Sequence, residues 1–344
     1  MTIECMKVKL KSSILACWIA IFILFCSACS STNQTNENEN QNPLLNNDTY
    51  IKDDGDCRGV SFSSPEKTLF FDAKVRTPER LDSIFYYTFS VSEEYFERIV
   101  KDLLIASYKE CTCKKSGSSI EYYASNDADA YSILNIDETG HLYYDTSSGI
   151  SGTLVGELYG YNTFADSTDY ILPIEMGEAI DIATSFAESY SDLDFFPYRV
   201  LIEYDSQQEC GCYRVYLQAQ VEGMPVCELS SNPTNTFMVN FSVDSSGIAY
   251  FQGKLCYDNI TKGDLASILS FDEIMEIFKT NFSFLIYKDS GVVYDISLEY
   301  NAQIEAEGVY SLRPIWCFHI RYEDSFDTIS FFADTGELCH TGVA

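Results

Sequence analysis

The sequence predicts an α+β protein in which a helix followed by antiparallel strands recurs along the chain. Three observations support this: apolar residues at helical spacing after a capping residue, runs that alternate between apolar and polar residues, and acidic turns ending in glycine. A helix on one face of an antiparallel sheet is a stable arrangement, because each element buries its apolar side against the other. We expect two clear copies of this unit and a weaker third.

The segment 261–344 has the clearest pattern. Ser270 and Glu273 stand at the spacing of a capping box, and apolar residues at helical intervals then predict a helix from Phe271 to Phe282. Alternation predicts strands at Val292–Tyr300, Leu312–Tyr322 and Thr328–Ala333. The last strand ends in a turn at Gly336, where glycine permits a positive φ.

The segments 171–260 and 57–170 have the same order of elements. The former has a helix at Met176–Tyr190, strands at Tyr198–Tyr204, Tyr213–Val221 and Phe237–Val243, and a turn at Asp244–Gly247. The latter has a helix at Glu93–Leu104 capped by Ser92, with strands near Tyr108–Lys114, Ser119–Ala124 and Tyr131–Ile136. Two further strands, Leu69–Val75 and Ile84–Phe89, are predicted before that helix.

The N-terminus has the features of a lipoprotein signal peptide. Three lysines precede an apolar run from Ile14 to Phe25, and Ala28 stands just before Cys29. We therefore predict a signal peptide at 1–28, a lipid on Cys29 and a disordered polar tether at 29–56. The alternative is an uncleaved membrane anchor, but the charge-free stretch is short against the roughly 20 residues that a span needs.

The net charge of −30 limits the classes of partner. A polyanion repels phosphate backbones, so nucleic acid is excluded as a partner. The charge favours solubility, and it also attracts cations and basic proteins. We expect a lipid anchor in the membrane and a membrane or envelope protein as the partner.

The sequence has no recognisable catalytic motif. It lacks a Gly-x-Ser-x-Gly elbow, a phosphate-binding loop and a His-Glu-x-x-His helix, and it contains three histidines. Of these, His319 is predicted on the strand face opposite Trp316, where a structural histidine is the simpler interpretation. Acidic clusters lack the spacing of a calcium loop. No catalytic residue, metal site or cofactor is therefore predicted, although a carboxylate pair brought together by folding would not be visible in sequence.

The cysteines are unusual for an exported protein. Cys111 with Cys113, and Cys210 with Cys212, form Cys-x-Cys pairs whose members point to one face of a strand. Three states stay open for these thiol pairs: free thiols, disulfides and a metal site. We expect the pairs not to share a metal, because they lie on different strands of different units.

Short motifs resemble those of a known family. They are Phe271–Ile274, Tyr310–Trp316 and Asp334–Gly336, together with Glu222–Val226 and Asp244–Ile248. In these residues the chain resembles an uncharacterised family of lipoproteins from Firmicute gut anaerobes. It is more distantly similar to the YycH and YycI extracytoplasmic regulators. Those proteins bind a sensor histidine kinase and are anchored in the membrane by a transmembrane helix. The resemblance implies no catalytic residues.

The function predicted from sequence is that of a lipid-anchored, extracytoplasmic binding or regulatory protein on the outer face of the cytoplasmic membrane. Two alternatives stay open. One is a surface lipoprotein that captures a sugar, a peptide or a cation. The other is a hydrolase that works with paired carboxylates.

Overall fold

A computed structural model of the chain describes residues 51–117, 119–127, 130–137, 140–147, 153–159, 172–206, 210–228, 237–286, 288–306 and 308–343. The described residues are mostly in strands and include three α-helices, which agrees with an α+β class at that level. The signal peptide, Cys29 and most of the tether lie outside the described residues. None of the described helices is both long and apolar enough to cross a membrane.

One sheet, called here the first sheet, is antiparallel and has nine strands. In spatial order they are β4 (Glu110–Ser116), β5 (Ser119–Asp127), β6 (Ala130–Ile136), β7 (His141–Thr146), β13 (Gly247–Lys254), β12 (Met238–Asp244), β10 (Cys210–Val221), β9 (Asp194–Asp205) and β8 (Thr153–Tyr159). These strands come from two of the predicted units, 57–170 and 171–260. The 3₁₀ turn at Leu81–Ser83 lies outside this sheet.

The second sheet is mixed and carries the candidate site. Its main strands are β1 (Ile51–Ser63), β2 (Thr68–Pro78), β15 (Ser290–Ala306), β16 (Val309–Arg321), β17 (Phe326–Phe332) and β18 (Leu338–Val343). The other half of β16 pairs with β3 (Phe85–Val91), which pairs with β14 (Tyr257–Leu265). The short β11 (Met224–Cys227) pairs with both β10 and β15 and so joins the two sheets.

The helix α3 (Phe271–Leu285) covers one face of the second sheet. The predicted capping box is confirmed, because Ser270 Oγ accepts from the Glu273 backbone and the Glu273 carboxylate binds the Ser270 backbone. The buried Phe278 ring lies 4.5 Å from that of Phe318 and 5.8 Å from that of Phe71. Packing of these aromatic rings holds the helix on the sheet.

Two helices pack on the first sheet. Helix α1 (Glu93–Ile99) begins at the predicted cap, Ser92, and continues as π-helical turns over Val100–Ile105. Helix α2 (Met176–Ser189) buries the small side chains of its predicted stripe, and its Phe186 ring packs against those of Phe241 and Phe251. The predicted helices therefore all form, within a few residues of their expected ends.

Several strands were not predicted. Residues 51–56, assigned to the tether, form the start of β1, whose backbone pairs with β2. The strands β7, β8, β11, β13, β14 and β18 were also missed. The polar composition of residues 51–56 gave no sign of a strand, because a strand at the rim of a sheet is held by backbone hydrogen bonds rather than by burial.

Candidate functional site

The candidate site lies on the face of the second sheet that points away from α3. A bulge between Val293 and Asp295 in β15 sets the alternation of the residues that follow it. Ser297, Glu299 and Asn301 then lie on the face that points away from α3, and all three side chains are buried. Polar side chains that are buried on a central strand need partners from neighbouring strands.

Glu299 is paired with His319 of β16. The distance from His319 Nε2 to Glu299 Oε1 is 3.3 Å, and the side chains are 18% and 9% exposed respectively. Burial alone would raise the pKa of Glu299, but the hydrogen bond and charge of His319, helped by Ser297, hold it at about 2. Burial alone would lower the pKa of His319, but Glu299 and the nearby Asp295 raise it above its ordinary value. The pair is therefore an ion pair at pH values between the lowered pKa of Glu299 and the raised pKa of His319.

Ser297, His319 and Glu299 do not form a catalytic triad. In a triad, the serine and the carboxylate bind opposite nitrogens of the imidazole. Here Ser297 Oγ and Glu299 Oε1 both lie 3.3 Å from Nε2, and Ser297 Oγ donates directly to Glu299 Oε1 at 2.6 Å. The other nitrogen, Nδ1, is 3.1 Å from Thr328 Oγ1. This arrangement fixes the carboxylate but gives the serine no base that would activate it.

Two thiols lie beside Glu299, and a third packs against those two. Cys227 Sγ, Cys317 Sγ and a Glu299 oxygen all lie within 4.8 Å of one another, and the three residues are buried. Cys339 packs against Cys227 and Cys317, and its sulfur accepts from Asn301 Nδ2 at 3.5 Å. Burial raises the pKa of Cys317 well above its ordinary value and that of Cys339 to about 11. Cysteine and carboxylate groups in this arrangement are ligands that a thiophilic cation could use.

An open groove runs past the thiol cluster. Its volume is about 510 Å³, and the residues that line it include Glu228, Gln303, Glu305, Phe332 and Cys339. The groove is polar and negatively charged, so it suits a cationic or basic ligand. It connects solvent with the side of the cluster formed by β18.

The sequence did not indicate the site at Glu299, because alternation along Val292–Tyr300 places this residue on the polar face of its strand. β15 is a central strand, which pairs with β2, β11 and β16, and Glu299 is 6% exposed. By contrast, His319 lies on the strand face opposite Trp316, as the alternation predicts. Trp316 is fully buried, and its Nε1 donates to Leu269 O at 3.1 Å. Ser297, Glu299 and Asn301 form a polar series that alternates with apolar residues, but this alternation does not show that the polar face is buried.

The predicted thiol pairs lie elsewhere, both in the first sheet. Cys111 and Cys113 are exposed on β4, whereas Cys210 is half-buried and Cys212 is buried on β10. Five strands separate β4 from β10, and neighbouring strands are about 4.8 Å apart. No disulfide joins the cysteines of the described residues.

Cys212 belongs to a second buried network. Its thiol donates to Glu203 Oε2 at 3.6 Å, and Ser242 Oγ donates to the same oxygen at 3.0 Å. Arg214 forms an ion pair with Glu203 at 2.7 Å and stacks over the Tyr250 ring. Burial, together with Glu203, raises the pKa of Cys212 to about 12, so this thiol stays protonated. Three side chains bind the Glu203 carboxylate, which is typical of a structural role.

Comparisons with known proteins identify a related fold. No protein-family model matches the chain, and no curated protein matches it. The structure is similar to that of an uncharacterised protein from Eubacterium rectale, with a TM-score of 0.57 and 15% sequence identity over 82% of this chain and 93% of that one. The C-terminal domain of Bacillus megaterium YpeB gives a TM-score of 0.36 and 13% identity over 74% of this chain and 98% of that domain. At this identity, the similarity to the Eubacterium rectale protein concerns the fold alone.

Proposed function

We propose that this protein is a lipid-anchored, extracytoplasmic binding protein. Its partner is an envelope protein with a basic, extended segment, which binds as an additional strand along the free side of β18. The observation that carries the proposal is the composition of this strand. β18 has no Asp, Glu, Lys or Arg, although the whole chain carries a net charge of −30. Edge strands that must not pair usually contain charges, so an uncharged edge is suited to accept a partner strand.

The surroundings of β18 favour the same partner. In the described residues β18 pairs with β17 alone, and Leu338 on it is 48% exposed. The acidic groove with Glu228 and Glu305 lies beside Cys339 of the same strand. Backbone hydrogen bonds would supply affinity, and the groove would select basic side chains.

Substitution of Leu338 with lysine tests the binding surface. We expect Leu338→Lys to weaken capture of the partner at least tenfold, because a lysine on the edge hinders strand pairing and repels a basic segment. The measurement is quantitative pull-down of crosslinked envelope proteins from the native host, at low and high salt. Binding to wild type should weaken with salt, because surface charges are screened beyond about 8 Å at physiological ionic strength.

Leu154→Lys is the matched control. Leu154 is 53% exposed on β8, which pairs with β9 alone in the described residues. Its substitution should leave capture unchanged. Equal capture by Leu338→Lys and wild type would contradict the role of β18, and turnover in a glycosidase or esterase screen without any specific partner would favour the hydrolase alternative.

The lipid anchor is part of the proposal and has its own test. Replacing Cys29 with alanine should abolish incorporation of labelled fatty acid, because the sulfur of Cys29 is the expected attachment atom. The variant should be released or should accumulate as an uncleaved precursor. Cys57→Ala, in the described fold, is the control and should be labelled like wild type. Labelling of the Cys29→Ala protein at the wild-type level would show that the lipid is elsewhere.

The proposal includes two finer relationships. One is membership of the Firmicute lipoprotein family and a distant relationship to the YycH and YycI regulators, which rests on the motifs quoted above.

The other is an internal repeat. The segments that contain α2 and α3 are repeats of one unit, with Gly247 and Gly336 in matching turns. Both glycines have positive φ, 108° and 72°. Superposition of the two segments in an experimental structure would test the repeat, and unrelated strand orders would refute it.

A further inference from the structure

We propose that Cys227, Cys317 and Glu299, with Cys339 packed beside them, bind a thiophilic divalent cation of the zinc class. The inference does not depend on the partner proposed for β18, because it rests on ligand atoms inside the second sheet. It assigns a cation site to residues that lie apart from both Cys-x-Cys pairs.

The geometry is close to that of a metal site. Tetrahedral zinc with bonds of about 2.3 Å to sulfur places its ligand atoms about 3.8 Å apart. The atoms of Cys227, Cys317 and Glu299 lie within 4.8 Å of one another. Closing this gap requires each ligand atom to move by well under about 1 Å. The fold therefore preforms most of a first coordination shell.

The strands explain why these ligands converge. Glu299 lies on β15, between β11, which contains Cys227, and β16, which contains Cys317. Cys227 pairs with Asn301, and Cys317 pairs with Ser297. Both thiols therefore approach the carboxylate from strands on either side of β15. Residues separated by 90 positions in the sequence form one site because β11 joins the two sheets.

Neighbouring groups hold the carboxylate and the thiols in place. His319 and Ser297 both bind Glu299 Oε1, while the Cys227 thiol donates to Tyr300 O at 3.4 Å. Asn301 donates to Cys339 Sγ. Outer groups of this kind orient ligands and raise metal affinity by about 10–100-fold.

The acidic groove gives a cation a path to the cluster. Glu228 and Glu305 line the groove, and Cys339 stands where it meets the buried thiols. A negative entrance raises the local concentration of cations. On coordination, each thiol would release its proton to solvent and bind as the thiolate.

Cobalt(II) and zinc(II) titrations of the full-length chain test the site. The protein is purified in detergent under anaerobic, reducing and metal-free conditions. We expect one cobalt ion per chain with thiolate-to-cobalt charge-transfer absorption, displaced by zinc. Cys227→Ser and Cys317→Ser should each weaken zinc binding by more than about a hundredfold, since loss of a ligand costs at least as much as loss of an outer group.

The control is the double variant Cys111→Ser, Cys113→Ser, whose thiols are exposed on β4. It should bind cobalt like wild type. Absence of thiolate-to-cobalt absorption in the wild-type protein, its retention in both folded site variants, or its loss in the control would overturn the proposal.

A measurement on the wild-type chain covers the case in which the site variants do not fold. Alkylation of Cys227, Cys317 and Cys339 in partly destabilising denaturant, followed by peptide mass spectrometry, should be at least tenfold slower with zinc than without. Cys111 and Cys113 should react equally in both conditions. Alkylation of the three site thiols at the same rate with and without zinc would reject the site.

Discussion

Replacing Phe278 with alanine should lower the free energy of unfolding by about 3–5 kcal/mol. Phe278 is fully buried, and its ring contacts those of Phe71, Phe318 and Phe331 between α3 and the second sheet. The substitution removes apolar contacts and leaves a cavity that the surrounding aromatic rings cannot fill without moving. Equilibrium denaturation with guanidinium chloride, followed by circular dichroism, measures the change.

Phe284→Ala is the control for this prediction because it makes the same chemical change in the same helix. The side chain of Phe284 is 88% exposed, so its removal should change the free energy of unfolding by less than about 0.5 kcal/mol. Equal effects of the two substitutions would mean that α3 does not pack on the sheet through Phe278.

Replacing His319 with alanine should cost about 3 kcal/mol in metal-free buffer, because Glu299 would stay buried without its cationic partner. The pair has side chains that are only 18% and 9% exposed, and His319 is one of two groups that hold Glu299 Oε1. The double variant His319→Ala, Glu299→Gln should recover most of the lost stability, since it removes the uncompensated charge. A double variant less stable than His319→Ala would contradict this account.

The same ion pair predicts how stability depends on pH. The pKa of Glu299 falls from its ordinary 4.5 to about 2, so its contribution is complete above pH 4.5 and is lost as the pH falls toward 2. The pKa of His319 is raised above 6.5, so its contribution is complete below 6.5 and is lost as the pH rises through the raised pKa. The wild-type advantage over His319→Ala should therefore be largest between about pH 4.5 and 6.5. An advantage that grows steadily above that range would be evidence against the pair.

The candidate site shows why part of the structure was predictable and part was not. The helix at Phe271 follows from a capping box and from apolar residues three and four positions apart, all of which are local features. Alternation along Val292–Tyr300 and Leu312–Tyr322 likewise places His319 and Cys317 on the same face. The pairing of His319 with Glu299, however, depends on the register between β15 and β16. The β-bulge after Val293 contributes to that register.

Glu299 is the clearest example of this limit. Its charge and its position on the polar face of an alternating strand are typical of an exposed residue, and the sequence of β15 does not show that strands pair on both of its sides. β2 is more than 200 residues away in the chain, and β11 is a strand of four residues. Burial of Glu299 results from those distant pairings, so no local pattern could indicate it.

The sequence by itself determined the helices, the strands that alternate strongly, the acidic composition and the expectation of an exported lipoprotein. These properties depend on residues close together in the chain or on overall composition. The tertiary structure alone decided that Cys227, Glu299, Cys317 and Cys339 meet, and that β18 is an uncharged edge beside an acidic groove. The physical reason is that sheet order and register are fixed by long-range backbone pairing and burial, which bring together residues with no relationship in the sequence.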